Sequence, residues 1–267
     1  MPSPSQNFTN RVYHGDGIDP YRVDPAVSAL EALALFTAAV ALFILLGALA
    51  GPGLGALAIA QVVALAGLPI AHAIARGDAK QRLGLHAPDA RALIGAALVG
   101  VSFWYVNVRI AAPIARAFDT GEIERLQRTF AAPPLAIPLL VVAVLPAICE
   151  ELLSRGMLAR ALRPALGRAL AIGVSALLFA GFHLSVVRFV PTMLLGAVLA
   201  SITLACDSVW PAMLAHLLNN AIALAIDGGA LTPIASFVGA HPDQALAASA
   251  LVSSTGLVIA LAPRRAA

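Results

Sequence analysis

The stretch Cys149-Glu150-Glu151-Leu152-Leu153-Ser154-Arg155 decides how the chain is read. It closes an apolar run from Pro134 to Ile148, in a sequence that is 60% hydrophobic with a mean hydropathy of +0.88. Ionisable groups at membrane depth cost roughly 2.5–3.5 kcal/mol each on insertion scales, so adjacent carboxylates there point to function. On a helix, Glu151 and Arg155 fall four residues apart, acid before base, which is the favourable order for an ion pair. Glu150 then points about 100° away around the helix, without a local partner. One carboxylate reads as structural and the other as available for chemistry.

Composition puts this stretch in a membrane. Charged residues make up 12% of the 267, against roughly 25% in soluble domains. The apolar residues fall in blocks at about 33–50, 54–75, 92–117, 134–162, 169–187, 189–205, 209–226 and 245–261. Most of these approach the roughly 17–25 residues that cross a hydrocarbon core near 30 Å thick. The expected fold class is therefore all-α, a polytopic membrane bundle of about eight transmembrane helices. Gly51-Pro52-Gly53 reads as a tight turn between the first two, and Gly47 and Gly51 have small-xxx-small spacing. Residues 1–27 are polar, interrupted by Pro2, Pro4, Gly15, Gly17, Pro20 and Pro25, and read as a flexible cytoplasmic tail. No charged region abuts the first apolar block, which argues against a secretory signal. The transmembrane domain is then 28–267. Between its third and fourth segments, Ile123, Leu126 and Phe130 recur at the spacing of a surface amphipathic helix.

The charges are few and unevenly placed. A net charge of +3, with no basic patch interleaved with aromatics, gives no case for nucleic acid. Arg76, Lys80, Arg82, Arg91, Arg160, Arg163, Arg168, Arg264 and Arg265 fall on one side of an even-numbered bundle, and fewer fall on the other. The richer side is cytoplasmic, so both termini are expected there, in a multi-pass protein of the plasma (inner) membrane. Cys149 and Cys206 lie in or beside apolar blocks and read as buried thiols rather than a disulfide. His72 reads as a packed or interfacial histidine, and Arg109 as structurally paired.

Two further polar pairs lie inside apolar blocks. Phe179 and His183 share a face of the fifth segment, and His216 and Asn220 share a face of the seventh. With the cytoplasmic ends as assigned, His216 and Asn220 lie roughly 10–20 Å deep and His183 roughly 20 Å. Glu150 shares that depth. A carboxylate among apolar side chains is a stronger base than one in water, because water no longer stabilises its charge. A histidine beside it shares a water and protonates a leaving amine, and a second histidine with an asparagine donates to an oxyanion. The reaction class is hydrolysis of an acyl bond by activated water, most naturally a peptide. Ser154 and Ser185 lie near, but Gly-x-Ser-x-Gly is absent. Glu150, His183 and His216 would also make a zinc set, although no His-Glu-x-x-His occurs. The sequence leaves metal-bound and glutamate-activated water both open.

Glu150-Glu151-x-x-x-Arg155, Phe179-x-x-x-His183 and His216-x-x-x-Asn220, in that order, resemble the three motifs of the CPBP family. These are the CAAX proteases and bacteriocin-processing enzymes, also called the Abi family. The resemblance covers about residues 134–227, and no motif position departs from it. It implies Glu150 and His183 as the pair that activates water, and His216 and Asn220 as the oxyanion groups. It further implies Glu151 and Arg155 as structural support, and a cavity open to the cytoplasm. The implied substrate is a membrane-anchored or lipidated peptide or protein, with no cofactor favoured and zinc the alternative. Two other functions compete: a proton-coupled transporter or channel relaying protons through Glu150, His183 and His216, and a non-catalytic membrane scaffold. Inverted internal repeats would favour the transporter, and none is visible.

The orientation is testable directly. In cells carrying Lys80→Cys or Gln127→Cys, an impermeant thiol reagent should modify the second and spare the first. The reverse pattern would overturn the assigned orientation.

Overall fold

The computed structural model describes residues 27–51, 53–118, 121–131 and 133–262. The tail read at 1–27 therefore lies, Val27 apart, outside the described residues, as do Arg264 and Arg265. The described residues form helices and no strands. In chain order these are α1 (Ala29–Ala50), α2 (Leu54–Ala75), α3 (Ala90–Phe118), α4 (Glu122–Ala131) and α5 (Ala136–Gly181). They continue with α6 (Val186–Cys206), α7 (Trp210–Asp227), α8 (Thr232–Ala240) and α9 (Pro242–Leu261). The all-α polytopic expectation is borne out. Hydroxyls start two of the helices: Ser28 accepts from the Glu31 amide at 3.2 Å, and Ser185 from the Arg188 amide at 3.0 Å.

Six helices among the described residues are long and apolar enough to cross a membrane, or seven if α7 and α8, bent by 86°, form one span. In that tally α5 is a single 46-residue run, but it is two helices meeting at Gly167, as the fourth and fifth expected segments require. Straight, it would reach about 69 Å, more than twice a hydrocarbon core. It breaks at Gly167, whose φ of 75° and ψ of 166° lie outside helical space and suit glycine. The second half then ends early. Gly181 closes α5, and the chain turns through residues 182–185 with Leu184 in the left-handed region at φ 49°. His183 thus lies in a turn, not inside a helix running to Val187 as expected.

Packing divides the bundle in two. The cores of α1 and α2 close on the middle of α5, where Phe36, Leu65, Leu153, Leu158 and Phe179 are buried together. On the other side α3 lies along α6, α7 and α9, with Val99, Leu199, Ile202 and Ala215 in the seam. Ser102 and Ser253 hydrogen-bond across α3 and α9 at 2.6 Å, satisfying hydroxyls that hydrocarbon would leave unpaired. Tyr105 reaches the Val238 and Pro242 carbonyls at 3.3 Å each, fixing α8 beside α9. Arg109 pairs with Asp243 at 3.0 Å and His72 lies 3.4 Å from Glu31, so neither is a lone intramembrane charge. Both cysteines are free and buried.

The Gly47/Gly51 pair is not a close glycine contact, since a Cβ on either would meet nothing within 4 Å. One such contact is the α3–α9 crossing, where a Cβ on Gly256 would lie 2.7 Å from the Gly95 carbonyl, and one on Gly95 would strike the Gly256 carbonyl. Both neighbours are backbone and cannot move aside. Gly256→Ala should destabilise the protein by about 1–3 kcal/mol through overpacking. Thermal unfolding in detergent measures this, with Gly47→Ala as the variant expected to unfold like wild type.

Candidate active site

The middle of α5 carries the glutamate pair, and its turns are widened by the hydrogen-bond pattern of a π-helix on both sides, at Leu139–Val144 and Leu152–Ala159. One reason is chemical. Pro146 has no N–H, so the carbonyls four and five residues earlier, Val142 and Val141, lose the donor that a helix would supply. Side chains from two other helices replace it. Asn220 Nδ2 on α7 donates to the Val142 carbonyl at 3.0 Å, and Gln61 Nε2 on α2 to the Val141 carbonyl at 3.3 Å. In an apolar setting such carbonyls are costly to leave unmet.

Glu151 lies at the centre. Its Oε1 accepts from Arg155 Nη1 at 2.8 Å, the pair expected from the four-residue spacing, and both side chains are buried. The same oxygen accepts from His216 Nδ1 on α7, also at 2.8 Å. That second bond joins residues 65 positions apart and has no signature in spacing. Arg155 also donates to the Gly196 carbonyl at 3.2 Å, and its guanidinium lies 3.9 Å over the Phe179 ring. A Cβ at Gly196 would approach Arg155 Nη2 to 3.2 Å, so the glycine makes room for the cation. Phe179 in turn meets His183 and His216 edge-on, with ring centroids 5.1 and 6.1 Å away.

Glu150 faces a different group. Its Oε2 is buried without a hydrogen-bond partner and lies 3.9 Å from His183 Nε2. That is too far for a direct hydrogen bond. The other ring nitrogen, Nδ1, is 2.8 Å from the Phe179 carbonyl, which can only accept. Nδ1 therefore carries the hydrogen, and a neutral ring presents a lone pair on Nε2. Two acceptors thus confront each other across a gap, an arrangement that suits a molecule with two hydrogens to give.

The structure brings all the sequence-predicted residues to one place but links them differently. Glu150 stands with His183, and Glu151 with both Arg155 and His216. Asn220 sits one turn beyond His216 with one amide hydrogen already given to Val142. Ser185 donates to Glu122 Oε2 at 2.7 Å and caps α6, which leaves it no nucleophile's partner. Sequence reading passed over Gln61, Asn219 and Asn107. Asn219 Nδ2 donates to Asn220 Oδ1 at 3.0 Å, and Asn107 Nδ2 approaches Asn219 Oδ1 at 3.5 Å. Their signal was an amide within an apolar block, together with a proline four residues before Glu150. Among the described residues, no three His, Cys, Asp or Glu side chains are grouped to hold a metal ion.

The class follows from these features: a polytopic helical membrane protein with carboxylate, imidazole and amide groups gathered at one buried site. Residues 132–222 match the family model described as Type II CAAX prenyl endopeptidase Rce1-like. The match spans about a third of the chain and contains all three motifs. It bears out the resemblance read from those motifs and supports a CAAX-type intramembrane protease. No curated protein and no solved structure matches the chain.

Glu151 is expected to be structural. Replacing it by Gln removes the charge that Arg155 needs and one of two acceptor oxygens. Breaking a buried ion pair typically costs about 3–5 kcal/mol. Glu151→Gln and Arg155→Ala should both lower folded yield and melting temperature. Size-exclusion chromatography and thermal scans in detergent check this, and wild-type values for both variants would contradict it.

Proposed function

We propose that the chain is an intramembrane endopeptidase that cleaves a membrane-anchored or lipidated peptide or protein with water activated by Glu150 and His183. The observation that carries this reading is the gap of 3.9 Å between an unpartnered carboxylate oxygen and the free nitrogen of His183. A water there donates one hydrogen to each and turns its lone pair toward a substrate carbonyl. Glu150 takes the proton as the new carbon–oxygen bond forms. The carbonyl oxygen becomes an oxyanion, and the remaining amide hydrogen of Asn220 stabilises it, joined by His216 when Nε2 also carries a hydrogen, because its Nδ1–H is already given to Glu151. Collapse breaks the carbon–nitrogen bond, and the proton held by Glu150 passes to the leaving amine.

The glutamate and histidine do this without a metal. Among the described residues no three His, Cys, Asp or Glu side chains are grouped as zinc ligands, and Asn220 suits hydrogen bonding better than ligation. The arginine distribution supports a site reached from the cytoplasm in the plasma membrane.

The test is cleavage, in liposomes, of a quenched fluorescent peptide whose farnesylated cysteine is followed by three residues. A second peptide without the lipid tests whether the anchor matters. Glu150→Gln should abolish turnover while leaving the melting temperature nearly unchanged. Asn220→Ala should lower turnover by about 10²–10³ with substrate binding kept. Activity should survive a chelator. Stoichiometric zinc, with activity lost to the chelator and restored by zinc, would overturn the metal-free step.

A further inference from the structure

We propose that Asn219, backed by Asn107, is a positioning residue that locks the amide of Asn220 in the orientation the reaction uses. The proposal rests on the reading of Asn220 given above, and it begins with Pro146. Because that residue lacks an N–H, the Val142 carbonyl needs a donor from elsewhere and takes it from Asn220 Nδ2 at 3.0 Å. A carbonyl only accepts, so this contact fixes which end of the Asn220 amide faces α5. The Asn220 oxygen is then turned away, and Asn219 Nδ2 donates to it at 3.0 Å. That settles the Asn219 amide in turn, leaving its oxygen to the Asn107 Nδ2 at 3.5 Å, the longest link of the series. Every amide in the row thus points the same way, from α3 through α7 to α5.

The second bond matters for the reaction. With only the Val142 contact, the Asn220 amide keeps one anchor and swings about it, and its second hydrogen has no fixed direction. An oxyanion donor works when it is aimed in advance, because aiming it during the reaction costs reorganisation. Asn219 is 6% exposed and both ends of its amide are engaged by neighbouring amides, so its role is not surface solvation. It lies next to Asn220 in sequence, about 100° around α7, and has no need to touch substrate to act.

A double-mutant cycle with the farnesylated peptide in liposomes separates orientation from stability. Asn219→Ala should lower kcat about tenfold with KM within twofold, and Asn107→Ala should lower it less in the same direction. In an Asn220→Ala background, neither change should lower kcat further, because the group they act through is gone. Asn219→Gln, which keeps an amide, should recover part of the loss. Equal losses in both backgrounds, or a full wild-type kcat in both single variants, would overturn the proposal. Asn107→Ala lies at a less buried position and carries the cycle by itself should Asn219→Ala fail to fold. Full turnover in Glu150→Gln would instead overturn the hydrolytic reading, and this proposal with it.

Discussion

A buried carboxylate shared by a guanidinium and an imidazole holds the centre of this protein together. Glu151 is fully buried, in a bundle whose outer faces are lipid-like, so its charge is tolerable only with partners in place. Arg155 supplies the opposite charge from the same helix and passes its remaining hydrogen bonding to the backbone of α6 at Gly196. His216 brings in α7. One Glu151 oxygen thus ties α5 to α7, Arg155 adds α6 through Gly196, and the Phe179 ring lies over the cation. Moving any of these helices would separate charges within hydrocarbon. The neighbouring Glu150 inherits a rigid support without giving up its own freedom to exchange a proton.

The rest of the site answers a different shortage. A membrane interior has no water to satisfy stray carbonyls, so a proline in a spanning helix obliges other residues to compensate. Here Pro146 leaves Val141 and Val142 as unmet acceptors, and Gln61 on α2 and Asn220 on α7 meet them. The same proline therefore widens the helix next to Glu150 and recruits a polar side chain to that spot. Structural repair and chemical equipment share the same atoms.

How much of this was legible in the sequence depends on how far apart the partners lie. Glu151 with Arg155 was readable because helical geometry makes four-residue neighbours meet. The grouping of Glu150, His183, His216 and Asn220 was readable from depth and from the resemblance of the motifs. The His216–Glu151 bond was not, since nothing in a sequence says which of two adjacent carboxylates a distant histidine will choose. The division into a fourth and a fifth segment was readable because hydropathy shows an apolar block on either side of Gly167, where the helix breaks and the chain folds back so that Phe179 reaches Arg155. The row Asn107–Asn219–Asn220 went unread for a different reason: side-chain amides carry no charge and leave composition almost untouched.

The early end of α5 has a consequence for the surrounding lipid. From Gly167 to Gly181 the helix rises only about 20 Å, some 10 Å less than a typical hydrocarbon core. At its tip the chain turns through His183 and Ser185, with Arg188 bound to Glu122 at 2.9 Å just beyond. Such a polar tip is hard to bury in acyl chains, so headgroups must dip toward it or the leaflet must thin around it. Either deformation draws water toward the His183 side of the bundle. A thinner bilayer would ask for less of either deformation.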